Sequence, residues 1–348
     1  MLGLGNSLIH NNRVKRGGAI IPFNTIAPVV SGTNTVGSIL TTTNGTWGGS
    51  TPITYTYQWL RNGSNIIGAT SSTYTSVLAD SSANISCRVT ATNSVGSANA
   101  TSNSLTIYEE EYKSILDYAT TQGYTLPSTA QRLKQNTLLS SLKTAGVWNK
   151  LDTFANFATD GSTQFALIDW KRLTQYTAVL SPTFTTNEGF MGNGTSSYID
   201  TNFNPVTQGV NYTQNNASRY LFMFLASGTG ALDGRSTVNI NNSLRASSSN
   251  QRINQGTTAL TGGSFDFTAT KGMKSIHRTS STNVELFNAT TQGSRTANSA
   301  SMTSSNQFIL RSGSGYGAHT ISFYMNGASM VAENTAIVNA VNTYLNSL

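Results

Sequence analysis

Cys87 is the only cysteine in this chain of 348 residues, so no disulfide can form within it. Any β-sandwich it builds must stand on apolar packing alone. The constraint matters because the residues around Cys87 carry a sandwich pattern. From about Asn24 to Ile107, short alternating runs are punctuated by turns: "GSILTTTNG" turns at Asn44-Gly45, "YTYQWLRNG" turns at Asn62-Gly63, and "NISCRVTATN" alternates again before "SVGSANATSNSLTI". Asn-Gly between alternating runs signals a hairpin, because both residues accept the positive φ of a tight turn. No helical period intervenes. Leu40, Trp59 and Cys87 fall on three of these runs. With no disulfide available, the Cys87 thiol is expected to pack as a small hydrophobe.

Residues 24–108 resemble the bacterial and phage immunoglobulin-like domains, on the strength of "YQWLRNG", Cys87 and the trailing "VTATNSVGSA". The resemblance implies that Trp59 is the core tryptophan, that Cys87 holds the position of the second disulfide cysteine, and that Leu40 stands at its partner position. Ile85 occupies the place of the tyrosine expected two residues before that cysteine, so the tyrosine corner is absent. A module of this kind without a disulfide suits a reducing compartment, as in a bacterial host cytoplasm.

Charged residues make up only 10% of the chain, and 21 Lys+Arg against 14 Asp+Glu give a net charge of +7. The cations Arg219, Arg235, Arg245, Arg252, Lys271, Lys274, Arg278 and Arg295 are scattered. Specific nucleic-acid binding requires a clustered basic stripe with interleaved aromatics, which this pattern does not provide. No apolar run approaches the roughly 20 residues that span a bilayer, so membrane insertion is not expected. The first residues, "MLGLGNSLIHNNRVKRGG", place apolar residues before basic ones and are broken by glycine, unlike a secretory signal. Residues 1–23 instead read as an anchoring arm. Leu2, Leu4, Leu8 and Ile9 would be buried on a partner, Arg13, Lys15 and Arg16 would face acidic surface, and Gly17-Gly18 would form a flexible joint.

The period changes after residue 108. "EEEYKSILDYATTQG" puts Tyr112, Ile115 and Ala119 on one helical face behind an acidic first turn. "LPSTAQRLKQNTLLSSLKTAGVW" opens with Ser128 and Gln131 in capping-box spacing and stops at Gly146. "WNKLDTFANFAT" reads as a third amphipathic piece, so residues 109–158 are expected to be a helical bracket. Residues 159–348 are rich in β-runs and end in "VAENTAIVNAVNTYLNSL", where Ile337, Val341, Tyr344 and Leu345 keep helix spacing. The expected fold class is mainly β: an immunoglobulin-like sandwich and a concanavalin A-like jelly-roll sandwich, joined by a short helical segment and closed by a C-terminal helix.

The stretch from Glu109 to Leu348 is similar to a module recurrent in tailed-phage virion proteins. The residues that carry this are "LLSSLKTAGVWNKLDTFANFATDG", "FALIDW", "FTTNEGFMGNGTSSYIDTNFNP", "NYTQNNAS" and "ISFYMNGASM". Such modules resemble laminin G and concanavalin A-like jelly rolls. The resemblance implies a component of the virion surface, made in the host cytoplasm, whose partners are other virion proteins of the capsid, neck or tail, with host glycans as further ligands.

The residues themselves offer little catalytic chemistry. Glycoside hydrolysis requires two facing carboxylates, whereas Asp160, Asp169, Glu188, Asp200, Asp233, Asp266 and Glu285 are single in the sequence. His10, His277 and His319 share no metal-ligand spacing with Cys87 or with an acid. Asp200, Asn202 and Asn204 alternate as oxygen ligands for calcium would, but the same residues suit a polar strand face or a turn. No cofactor and no resident metal are expected. Tyr212 and Tyr316 lie in loop-like sequence where an exposed ring could stack on a sugar. Homo-oligomers are common among fibres, yet no heptad run here demands one. The resulting expectation is a non-enzymatic virion surface protein, either a head decoration or a short head or neck fibre. A receptor-binding tail fibre is the alternative, and a polysaccharide hydrolase the less favoured third.

Overall fold

The computed structural model describes residues 18–225, 231–237, 240–245, 251–255, 270–312 and 315–348. The arm residues Leu2, Leu4, Leu8, Ile9, Arg13, Lys15 and Arg16 lie outside the described residues. Two compact units divide the chain, Met1–Ile107 and Tyr108–Leu348. The fold is mainly β, with antiparallel sheets and few helices. No helix among the described residues is long and apolar enough to cross a membrane.

In the first unit, Thr54–Arg61 and Asn84–Asn93 pair antiparallel with Trp59 opposite Cys87. Asn84–Asn93 also pairs with Gly96–Thr101 and Leu105–Thr106, and Thr54–Arg61 with Ser64–Asn65. The connecting Asn62 and Gly63 have φ of 48° and 82°, the left-handed pair that a type I′ turn demands. A second sheet joins Val30–Gly32, Ile39–Thr42 and Thr73–Thr75. Leu40 from this sheet meets Trp59 and Cys87 in one buried cluster with Val30, Ile85, Val89 and Ile107. One carboxylate is buried in this unit. Asp80 accepts from Arg61 Nε at 2.6 Å, from the Tyr74 hydroxyl at 2.7 Å and from the Val77 N–H at 2.8 Å, the set of partners a buried charge requires.

Among the described residues, two large sheets, two two-stranded pairs and three long helices make the second unit. One sheet runs in the order Thr183–Thr185, Gly189–Met191, Thr320–Gly327, Ala217–Leu225, Gly272–Arg278, Asn283–Asn288, Thr291–Thr296, with Leu151–Asn156 also paired to Thr320–Gly327. The other runs Thr177–Val179, Tyr198–Asp200, Phe308–Ile309, Ala231–Thr237, Ile240–Arg245, Arg252–Gln255. Phe190, Leu221, Ile276, Leu286 and Ile321 of the first sheet share a core with Ile199, Leu232, Leu244, Ile253 and Ile309 of the second. The opposite face of the first sheet carries Phe154, Tyr220, Phe222, Met273, Phe323 and Met325. Those side chains pack with helix α1 (Glu110–Thr121), helix α2 (Thr129–Thr144) and the C-terminal helix Asn334–Ser347. The architecture is therefore three-layered, with helices on one face of a sheet and a second sheet on the other.

Local sequence explains the helices. Tyr112, Ile115, Leu116 and Ala119 form the buried face of α1, and Glu110 and Glu111 sit in its first turn, where the helix dipole favours acid. Ser128 caps α2 by accepting from the Gln131 N–H at 3.2 Å. The Gln131 side chain, however, turns away from a capping box to donate to Asn187 at 2.6 Å. Gly146, at φ 71°, ends the segment.

Two expectations change. The segment 109–158 is not a separate bracket, because α1 and α2 contribute their apolar faces to the core of the second unit. Nor is "WNKLDTFANFAT" a helix: Trp148–Lys150 is one 3₁₀ turn and Leu151–Asn156 is a strand with every residue buried. Its apolar residues at 151, 154 and 157 imitate a helical period because both faces of this sheet are covered, which removes the alternation that identifies a half-buried strand.

Candidate functional site

Tyr316 leads to an aromatic cluster formed by the six-stranded sheet and a separate two-stranded pair. Strand Tyr198–Asp200 pairs with Phe308–Ile309, setting Ile199 against Ile309 and Asp200 against Phe308. Leu310, at φ 65°, breaks the run before Arg311–Ser312 pairs with Gly315–Tyr316. These two pairings gather Tyr198, Phe308, Arg311 and Tyr316. The rings of Tyr198 and Phe308 are 5.0 Å apart and those of Tyr198 and Tyr316 6.2 Å. The Arg311 guanidinium lies 4.6 Å from the centre of Tyr198, 5.0 Å from Phe308 and 5.4 Å from Tyr316. Tyr198, Arg311 and Tyr316 are half-buried, and Phe308 is buried.

The loop leading into Tyr198 is pinned by its own side chains. Asn193 Oδ1 accepts from the N–H groups of Thr195, Ser196 and Ser197 at 3.0, 2.8 and 2.9 Å. A guanidinium against several rings is held by the ring quadrupoles, at about 0.5–2 kcal/mol per contact depending on desolvation. The arrangement offers partly exposed ring surface beside a fixed cation. Its members come from residues 198, 308, 311 and 316, and the only local signal was the loop-like setting of Tyr316.

Tyr212 requires a correction: it is 1% exposed and cannot stack on a sugar. The cause is Asp152, whose carboxylate accepts from the N–H groups of Val210, Asn211 and Tyr212, the last at 2.7 Å. That clamp turns the ring into the inter-sheet core, where its hydroxyl donates to Asn254 Oδ1 at 3.1 Å.

Asp160, Asp169, Glu285 and Glu333 hold structure. Asp169 pairs with Arg172 at 2.5 Å, Glu333 with Lys150 at 2.6 Å, and Asp160 accepts from the Ser128 N–H at 3.0 Å. Glu285 accepts from Asn283 at 2.7 Å and from Gln292 at 3.1 Å. Asp266 and the side chain of Asp233 lie outside the described residues. Asp200, Asn202 and Asn204 do not converge as ligands. Asp200 accepts from the Asn202 N–H at 2.8 Å, Asn202 donates to the Gln175 carbonyl at 2.9 Å, and Asn204 caps the short helix Pro205–Gln208. Among the described residues no group of three or more His, Cys, Asp and Glu side chains could hold a metal ion.

Basic and imidazole groups are also drawn inside. Arg219, Lys274, Arg278 and Arg295 are buried, and Arg278 donates to the carbonyls of Ile253 and Ala297 at 2.9 and 2.8 Å. His277 is fully buried between Tyr220 and Phe287, and its Nδ1 accepts from the Met330 N–H at 3.2 Å. Burial pushes its pKa down to about 3, so it is a neutral packing group at ordinary pH.

No family model and no curated protein matches the chain. Among solved structures it is similar to domain 4 of AbnA, a GH43 extracellular arabinanase from Geobacillus stearothermophilus, at 14% identity over 54% of this chain and 98% of that one, TM-score 0.36. A mutant Trypanosoma rangeli sialidase displaying trans-sialidase activity aligns at 12% identity over 75% of this chain and 43% of that one, TM-score 0.41. The botulinum neurotoxin serotype D binding domain aligns at 9% identity over 57% and 52%, TM-score 0.38. At scores this low none of these likenesses carries an activity or a ligand across.

Proposed function

We propose that this chain is a non-enzymatic structural protein of a tailed-phage virion surface, a head decoration or short head or neck fibre. Residues 1–23 attach it, and it displays an immunoglobulin-like and a lectin-like sandwich. The observation that supports the non-enzymatic reading is the employment of the carboxylates: Asp152, Asp160, Asp169, Glu285 and Glu333 all hold backbone or side-chain partners of the fold. The virion setting rests on the sequence resemblance of residues 109–348. In the arm, each leucine fully covered by a partner contributes about 1.5–3 kcal/mol, and the basic residues add a salt-sensitive part. The test is to delete residues 2–16 and add the purified protein to particles lacking it. Binding should vanish while both units melt as before; normal occupancy by the truncated chain would sink the reading of the arm.

The ring cluster around Arg311 favours a second reading, a receptor-binding tail protein that recognises host polysaccharide. A glycan array separates the two. A tight hit lost in Tyr316→Ala would put the adhesin first, and steady release of reducing ends from host polysaccharide would establish a hydrolase instead.

A further inference from the structure

A cavity of about 320 Å³ in the second unit shares no residue with the Arg311 cluster and is lined by Glu111, Ser114, Trp148, Asn149, Trp170 and Lys171. Three segments build it. Helix α1 supplies Glu111 and Ser114, the 3₁₀ turn after α2 supplies Trp148 and Asn149, and the turn after Ile168–Asp169 supplies Trp170 and Lys171. The tryptophans are fixed from behind. Trp148 stands edge-on to Phe154 at 5.8 Å, and Trp170 lies 5.3 Å from Phe154 and 5.6 Å from Tyr112. The volume lies within the roughly 300–1,000 Å³ of small-molecule sites.

The polar groups at this cavity are of opposite kinds. Lys171 Nζ donates to the Trp148 carbonyl at 3.0 Å and sits 4.6 Å from the centre of the Trp148 ring. An ammonium has three donors, so this bond leaves two. Burial pushes Lys171 below the usual lysine range, and the charges facing it are Glu111 from α1, Asp152 and Asp169. Glu111 brings a carboxylate, one oxygen of which accepts from Lys143 at 2.6 Å. The Trp170 indole N–H, itself buried, has no hydrogen-bond acceptor. A free anion entering here would meet Glu111, and a cation would meet Lys171. A hydroxyl group meets neither difficulty, because it donates to a carboxylate and accepts from an ammonium at once.

We propose that this cavity binds a neutral saccharide unit. Lys171 donates to a sugar oxygen, Glu111 accepts from a sugar hydroxyl, and Ser114 and the exposed Asn149 add hydrogen bonds, while Trp148 and Trp170, both buried, only wall the cavity from behind. The proposal is independent of where the chain is displayed and of the ring cluster around Arg311.

The test titrates the full-length chain with methyl glycosides of neutral hexoses, and in parallel with a methyl glucuronide and a quaternary amine, followed by calorimetry and ligand-observed NMR. Lys171→Met, Asn149→Ala and Tyr316→Ala are compared with the parent, each checked for unchanged melting. The neutral glycosides should bind, Lys171→Met should weaken them about tenfold or more, Asn149→Ala should weaken them less, and Tyr316→Ala should change nothing. Binding of the glucuronide or the amine alone overturns the ligand class. Absence of neutral binding, or binding that Lys171→Met leaves intact, overturns the site. Loss of binding in Tyr316→Ala alone assigns the sugar to the Arg311 cluster, removes this cavity and favours the adhesin reading, whereas failure of Lys171→Met to weaken binding removes the cavity alone. Should Lys171→Met fail to fold, Asn149→Ala decides, since its side chain is exposed; unweakened binding in that variant sinks the proposal.

Discussion

The two units solve the same packing problem differently. In the first, Cys87, Val89 and Ala91 are buried while Arg88 and Thr90 between them are half-exposed, and with Trp59 the first two point to a single small core. In the second, the sheet holding Thr320–Gly327 is covered by helices on one face and by another sheet on the other, and all eight residues of that strand are buried. A single-sided core leaves its alternation in the sequence. A double-sided core erases it, and it concentrates aromatic contacts that a thinner sandwich cannot house.

That contrast is sharpest at Phe154, which touches Trp148, Trp170 and Phe323. Phe154→Ala should destabilise the second unit by about 3–5 kcal/mol, the range for a fully buried aromatic, and leave the melting of the first unit unmoved. A loss shared equally by both units would show that they do not fold on separate cores.

Acid should separate the units next. No histidine occurs between residues 18 and 107, whereas His277 is buried in the second unit with its pKa pushed down to about 3. Its folded pKa lies below the unfolded value near 6.5, so the unfolded chain takes up the proton first. Stability from this group is present above pH 6.5 and is lost as pH falls toward 3, by at most about 1.4 kcal/mol per pH unit. Thermal scans between pH 7 and pH 4 should show the second unit falling faster, with the difference reduced in His277→Gln. A pH response that the variant leaves intact would assign the sensitivity elsewhere.

A smaller effect is expected at the cap of α2. Ser128→Ala removes the acceptor of the Gln131 N–H and should cost about 1 kcal/mol, read from the denaturation midpoint of the second unit. The smallest belongs to the first unit. Cys87→Val, a nearly volume-conserving change, should cost less than about 1.5 kcal/mol, and reductant should leave the melting temperature of the parent unchanged. A reductant-dependent drop would reveal a disulfide between chains.

The same contrast decides what the sequence discloses. The strands of the first unit are legible because period-two alternation and the Asn62-Gly63 turn act within a few residues, and the resemblance to immunoglobulin-like domains implies Leu40, Trp59 and Cys87 as their core. Asp80 could not be placed in its cluster, since Arg61 and Tyr74 reach it from other elements. In the second unit, Leu151–Asn156 took on the look of a helix because it has no exposed face. No local signal marks Tyr212 as buried, because its orientation is set by Asp152, sixty residues earlier in the chain. The cavity around Lys171 draws on residues near 111, 148 and 170, and no local pattern joins them. The two tryptophan–lysine neighbourhoods, "WNK" and "DWK", are the nearest the sequence comes to marking it.

Labelling intact virions with an antibody raised against residues 108–348 tests the proposed function most directly. Signal over the head or neck, present in the parent and absent when residues 2–16 are deleted, is the expected result. Particles that bear no label, or that bear it at the tail tip alone, would contradict a decoration role.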